Sequence, residues 1–506
     1  MMQNFIERHS TKIKGVLSCF DRIVLTGTIP GICYAQGMSS FLTLKNIRVF
    51  DFTQWAEPLR EELRANAEKI ARDNALEIEF IRKKNFRKED RIHDIVKQRG
   101  THPGIVHIYS ALEACTTYKP WHNKNTHTTY LKTVPGKCLH YYFYFMDDVL
   151  GLCYLRVPTW APFRLQFYCN GHNLLASTLN AKKMDFQMLD NVFVHIDDFK
   201  KAQTFSDDIQ VKRIHRQLDK IVRQYCPIVR YFVNGYHWSF MQVEYATDIV
   251  FKQKSDLKLI YDEIVRTAIH SVKPENIATF LGRKLHCGYE DEMGNNFNTR
   301  IEGTCIKHRM GSVAVKMYDK FGLVLRVETV ANDVSFFKHH RRVEHRGGTW
   351  EMKDAPLKKS IYSMPMLVEL MKASNRRYLD FISAIDDPSG GIKDLNKISR
   401  PVKEENRSYR GFNLFNGDDL ELFRAVIRGE FNISGFGNKG LRKVIKNKKG
   451  HQVSRLLKRL QKHGMIKKIA NTYKYYLTAL GRRVSATALK LREMYIIPSL
   501  RGIVAR

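Results

Sequence analysis

Between Phe431 and Arg492 the chain carries 17 Lys or Arg and not one Asp or Glu. Such a segment has no internal ion pairs to draw on. It must fold on its apolar residues alone, with its cations left to water or to a polyanion. The apolar residues recur at helical spacing. In GHQVSRLLKRLQKHG, opened by Gly450, the residues Val453, Leu456, Leu457 and Leu460 form one stripe. Gln452, Ser454, Arg455, Lys458, Arg459 and Lys462 fall largely off that stripe, as on a recognition helix. Asp418 to Arg428 reads as an earlier helix with acids in its first turn, and Asn438 to Ile445 as a second, with Arg442 and Lys443 near its end. Met465 to Ile469 and Tyr473 to Leu477 read as short strands around Ala470-Asn471-Thr472, with Lys467, Lys468 and Lys474 beside them. Helix, turn, helix, turn, helix, hairpin is the layout of a winged helix. The residues expected on nucleic acid are therefore Arg442, Lys443, Gln452, Ser454, Arg455, Lys458, Arg459, Lys462, Lys468 and Lys474. A winged helix used for protein contacts fits the same pattern, though not the same charge.

The ending SRLLKRLQKHGMIKKI…YKYYLTALGRR resembles the MarR-type winged helix, with its helix, H-G-x-I, wing and L-T-x-x-G-R sequence. The resemblance covers about the last 90 residues and implies DNA binding, commonly as a homodimer. The whole chain resembles a bacterial group labelled MarR regulators for this tail, a label that says little about the 400 or so residues in front.

The charge of the whole chain points the same way. Its 506 residues hold 84 Lys or Arg against 51 acids, a net charge of +33. Nucleic acid is the usual partner for such an excess, because Lys and Arg release counterions from phosphates. DNA is expected first, and RNA is compatible with the same charge. Nine scattered cysteines without a C-x-x-C pair do not suit a structural zinc site and do suit reduced thiols in a cytoplasm. The N-terminus lacks the apolar region of a secretory signal, and no apolar run nears the roughly 18 residues of a membrane span.

Ahead of the tail the periodicities alternate. Phe20 to Ile29 and Leu76 to Ile81 read as strands, Gln54 to Asn74 as a helix, residues 140 to 170 as two or three strands, and Val192 to Ile196 as another. Residues 207 to 226 and 255 to 270 read as amphipathic helices. The fold class expected is α+β and multidomain, with a mixed α/β N-terminal and central region around a β-sheet core. The expected divisions are an N-terminal domain over 1–205, a central processing domain over 206–385, a polar linker over 386–412 and the winged helix over 413–506.

The chemistry concentrates in Ser312 to Val330, SVAVKMYDKFGLVLRVETV, which reads as a β-hairpin turning through a three-residue loop, Lys320-Phe321-Gly322. Met317, Leu325, Val315 and Val327 would form its apolar face. Lys316, Tyr318, Arg326 and Glu328 share the other. Glu328 suits a divalent metal, Lys316 and Arg326 a scissile phosphate, and Tyr318 a nucleophile or a strand-positioning phenol. A solvated, amphipathic hairpin would look the same. The run K-M-Y-D-K…L-R-V-E resembles a signature of plasmid Rep-type rolling-circle initiators and relaxases that lack the His-hydrophobic-His motif. On Tyr318, Asp319, Lys320, Arg326 and Glu328 that resemblance implies a metal-dependent nickase core. It covers about 20 residues.

Upstream, in HWSFMQVEYATDIVF, Glu244 and Asp248 stand four apart and share a face in a helix or in a strand. Glu244, Asp248 and Glu328 are thus the expected ligands of Mg2+ or Mn2+, and Tyr318, Glu328, Glu244, Asp248, Lys316 and Arg326 the expected catalytic set. Lower-ranked candidates are Asp147-Asp148, the histidines of KHHRRVEHRGG, and Asp21 at the head of the first strand. These residues lead to a cytoplasmic, nucleic-acid-binding protein of a mobile or plasmid-like element, a nickase or nuclease targeted by its winged helix. Two other readings remain open: a non-enzymatic regulator or ribonucleoprotein component, and an RNase H-like transposase in which Asp21 meets acids from later strands.

Overall fold

The computed structural model describes residues 2–82, 86–285, 293–300, 303–345, 347–385, 397–404, 407–445, 448–469 and 472–500. The fold is α+β, built on a large mixed sheet. Its first six strands are β1 (Ile13–Thr28), β2 (Ile78–Phe80), β3 (Gly104–Asn123), β4 (Thr128–Asp147), β5 (Gly151–Pro158) and β6 (Leu165–Cys169). A small separate hairpin follows, β7 (Phe186–Leu189) and β8 (Val192–Ile196). The sheet is completed by β9 (His237–Phe251), β10 (Met293–Arg300), β11 (Gly303–Met310), β12 (Val313–Lys320) and β13 (Val324–Ala331). The eleven strands lie in the order β10-β11-β12-β13-β9-β1-β6-β5-β4-β3-β2. Two further hairpins stand apart, β14 (Lys338–Glu344) with β15 (Trp350–Pro356), and β16 (Val402–Glu404) with β17 (Arg407–Tyr409).

Every residue of β13 is buried, and most of β1 and β9 is too. That is the position of strands covered on both faces, where polar side chains must find partners inside the protein. The helix Val211–Tyr225 buries Val211, Ile214, Leu218, Ile221, Val222 and Tyr225, the i, i+3, i+4, i+7 stripe its sequence spells out. The segment from His237 to Phe251, open between helix and strand in the sequence, is a strand.

The chain divides into two compact units that do not follow the linear divisions expected from sequence. One comprises Met1–Leu17, Ala246–Val330 and Glu369–Arg506, the other Ser18–Tyr245 and Ala331–Val368. Both boundaries in the first half fall inside long strands, β1 and β9, so neither leaves a compositional mark. The expected linker is different as well. Its first part, 386–396, lies outside the described residues. Beyond it, β16 and β17 pair, and Ile398 and Phe412 are buried in the core of the C-terminal segment.

That segment runs Gly417–Val426, Gly429–Ser434, Asn438–Val444 and Gly450–Lys462 as helices. A paired hairpin follows, β18 (Ile466–Lys468) and β19 (Tyr475–Leu477), and then a helix Ala479–Lys490. Ala470 and Asn471, expected at the tip of this hairpin, lie outside the described residues. Leu420, Phe423, Leu441, Val453, Leu457, Leu460 and Ile466 share one core. Among the described residues no helix is long and apolar enough to cross a membrane.

Candidate functional site

In the first unit, β12 and β13 are joined by a turn one residue tighter than expected. Phe321 and Gly322 both have positive φ, 57° and 69°, and the Leu323 N–H donates to the Lys320 carbonyl at 3.0 Å. These are the central residues of a two-residue hairpin turn. Lys316, Tyr318 and Glu328 meet on one face, and that face is not solvated. Arg326 and Glu328 are 0% exposed and Tyr318 is 7% exposed. Glu328 accepts the Tyr318 hydroxyl at 2.8 Å on Oε2, and Lys316 Nζ lies 3.5 Å from Oε1. The Arg326 guanidinium grips Asp248 at both oxygens, Nε to Oδ1 at 2.6 Å and Nη2 to Oδ2 at 2.7 Å.

Three sequence expectations change here. Asp248 faces a guanidinium with both carboxylate oxygens, the fork-to-fork geometry of a structural ion pair rather than of a metal ligand. Arg326 is wholly buried and occupied by Asp248, so it is not placed to meet a phosphate. Tyr318 donates to Glu328 from a buried position, which orients the carboxylate and does not present a nucleophile to a strand. Lys316, beside Glu328 on the same face, retains appreciable exposure, at 21% of its side chain.

In the second unit the centre of interest is Asp21, midway along β1 and 9% exposed. Its Oδ1 accepts Asn191 Nδ2 at 2.5 Å and Asn170 Nδ2 at 3.4 Å, and the fully buried His172 brings Nδ1 to 3.2 Å. The helix Gly171–Ala181 makes this possible. Asn170 caps it through the His172 N–H, and Gly171 crosses β1 so closely that a Cβ there would lie 2.2 Å from the Phe20 carbonyl oxygen. Only a residue without a side chain permits that approach. Glu244, on β9 and also 9% exposed, brings a carboxylate oxygen within 4.8 Å of one on Asp21. Gln242 Nε2 donates to Glu244 Oε1 at 3.1 Å. Two carboxylates this close repel unless a proton or a cation sits with them. Sequence reasoning ranked Asp21 low and missed His172, Asn170 and Asn191. The only local signal was the Asn-Gly-His run, which reads as a helix cap.

Other acids resolve into different roles. Asp147 accepts the Val149 and Leu150 N–H groups, both at 2.9 Å, and Gln217 Nε2 at 2.6 Å, so it shapes the β4–β5 turn. Asp185, His195 and Asp197, on and beside the β7–β8 hairpin, form a group with spacing a metal ion accepts, the two aspartates exposed and His195 partly buried. His340 and His345 pair with Asp354 and Glu351 along the β14–β15 hairpin instead of converging with His339.

In the C-terminal segment, Gln452, Ser454, Arg455 and Lys458 are exposed on the helix Gly450–Lys462, as are Arg442, Lys443, Lys468 and Lys474 around it. Two of the expected contacts are otherwise engaged. Arg459 is buried against Asp419, Nη1 to Oδ1 at 2.7 Å and Nη2 to Oδ2 at 3.0 Å. It also donates to the Arg410 and Gly411 carbonyls and stacks 3.8 Å over the Phe412 ring. It therefore holds the domain together and is not on its surface. Lys462 is ion-paired with Glu404 of β16. Gln452, though exposed, accepts the Lys449 N–H at 2.7 Å as part of the helix cap, and Ser454 Oγ accepts Asn438 Nδ2 at 2.8 Å.

No protein-family model matches the chain, and neither a curated protein nor a solved structure matches it.

Proposed function

We propose that the protein binds nucleic acid and cleaves a phosphodiester bond with a divalent metal ion held by Asp21 and Glu244. The observation that carries this reading is that β1 and β9 each bring a buried acid to mid-strand, Asp21 and Glu244, with carboxylate oxygens within 4.8 Å of each other in one unit. An all-carboxylate donor set suits a hard cation, Mg2+ or Mn2+. Held there, such an ion would supply activation of water and neutralisation of charge at the scissile phosphate. The chain's own residues prepare the site. His172, Asn170 and Asn191 hold Asp21, and Gln242 holds Glu244. Acids on neighbouring strands of one sheet, with Asp21 among them, favour the RNase H-like arrangement over a tyrosine nickase. The C-terminal segment acts as a winged helix that selects the site, as in an element-encoded nuclease.

Asp21 is already met by Asn191, Asn170 and His172, and this favours a second reading in which the protein binds nucleic acid without cutting it. The two part in one experiment. Purified protein is titrated with Mn2+ calorimetrically and then incubated with its co-purifying nucleic acid in Mn2+. Asp21→Asn and Glu244→Gln should each weaken Mn2+ binding and abolish cleavage. Cleavage that survives both substitutions refutes this site; tight nucleic-acid binding with no cleavage by the wild type leaves the second reading.

A further inference from the structure

Beyond Leu112 and Leu139 the β3–β4 hairpin continues as a two-stranded ribbon with unbroken register to Asn123↔Thr128. At about 3.3 Å per residue it runs on for about 40 Å. One face is packed. Tyr118 is buried and donates its hydroxyl to the Ile32 carbonyl at 2.8 Å, and the N–H of the buried Leu131 donates to Ser39 Oγ at 3.1 Å. On the other face Trp121 lies directly opposite Tyr130, and Lys119 directly opposite Lys132. All four are exposed, the rings at 52% and 40%. Lys132 Nζ sits 5.0 Å from the centre of the Trp121 ring.

This face goes against what a free surface favours. Like charges directly across a strand pair are destabilising, and two large rings side by side in water forgo their burial. Charge along the ribbon is one-sided as well. Between Glu113 and Asp147 there are four lysines, 119, 124, 132 and 137, and no acid. At the ribbon's root a cleft of about 510 Å3 is lined by Arg60, Arg64, Lys137 and Trp160, among others. Rings flanked by lysines match a chain that alternates flat bases with phosphates, and splayed bases are available only in single strands.

We propose that the exposed face of this ribbon binds single-stranded nucleic acid, with bases stacked on Trp121 and Tyr130 and phosphates on Lys119 and Lys132. The inference rests on the nucleic-acid half of the proposed function and not on the metal centre, so its test is run in EDTA. Full-length protein is titrated into a fluorescein-labelled 20-nucleotide dT strand and, separately, a duplex of the same length, with anisotropy as readout. Trp121→Ala/Tyr130→Ala is expected to weaken single-strand binding at least tenfold while leaving duplex binding within twofold. Lys119→Gln/Lys132→Gln should lower the salt dependence of single-strand binding by about one to two ions. Quenching of tryptophan fluorescence by the dT strand should diminish in Trp121→Phe, with affinity largely kept. Unchanged thermal melting of the variants shows that the ribbon is still folded. Unchanged single-strand affinity in both double variants overturns the proposal, and so does a loss confined to the duplex, which would make the ribbon a duplex-groove contact. A wild type that binds no dT strand also overturns it, and leaves the metal titration to judge the metal centre by itself.

Discussion

A guanidinium with no exposed surface is the costliest side chain to place in a sheet, and Arg326 is tolerated because Asp248 meets it with both oxygens. The pair accounts for a correction that sequence alone did not provide. The parity of β13 was legible, because alternation puts Arg326 and Glu328 on one face whatever the partner strand is. The partner was not, because Asp248 lies 78 residues away and an acid at that position reads equally well as a ligand. Removing one member of a buried pair strands the other charge, at a cost of about 3–5 kcal/mol. Asp248→Ala should therefore lower the urea unfolding midpoint substantially. Any molecules that remain folded should keep the wild-type Mn2+ affinity, since Asp248 is not a ligand. If Asp248→Ala leaves stability unchanged and removes Mn2+ binding, the assignment of Asp248 to Arg326 and not to metal is wrong.

At the scale of elements, the legible parts were those with one apolar face. The helix Val211–Tyr225 and the strands around residues 140 to 170 follow their periodicity closely. The β3–β4 ribbon did not show itself, because outside the sheet it is exposed on one face and interrupted by Pro120 and Pro135, so no alternation builds up. The site around Asp21 was hidden differently. It depends on a helix start packing on the backbone of β1, and the determinant is the missing side chain at Gly171. Gly171→Ala would put a Cβ 2.2 Å from the Phe20 carbonyl oxygen and 2.6 Å from Phe20 Cβ, so the helix must lift away, taking Asn170 and His172 from Asp21. Overpacking of this kind costs about 1–3 kcal/mol. The variant should melt several degrees lower and bind Mn2+ more weakly than wild type. Gly417→Ala, at a helix start with nothing within 4 Å of the new Cβ, should do neither.

For the whole molecule, the net charge of +33 was the most legible property and the unit boundaries the least. Charge adds up along the chain, whereas the units are assembled from segments that leave and return, with β1 and β9 each contributing to both. The excess charge can also be divided by position. Arg459 belongs to the charge total and to the acid-free stretch, yet its buried pairing with Asp419 removes it from any phosphate. Arg455 and Lys458 stand exposed on the same helix, Gly450–Lys462. If the C-terminal segment is a winged helix that binds duplex, these two cations contribute counterion release and Arg459 does not. Arg455→Gln/Lys458→Gln should then weaken duplex binding and reduce the slope of log affinity against log salt by roughly 2. Thermal stability and Mn2+ affinity should be unaffected. Arg459→Ala should instead lower the melting temperature, because it leaves the Asp419 carboxylate buried with a partner gone. A salt slope that does not change in the Arg455/Lys458 variant would move the duplex contact off this helix. The acid-free stretch would then stand without the partner that its charge implies.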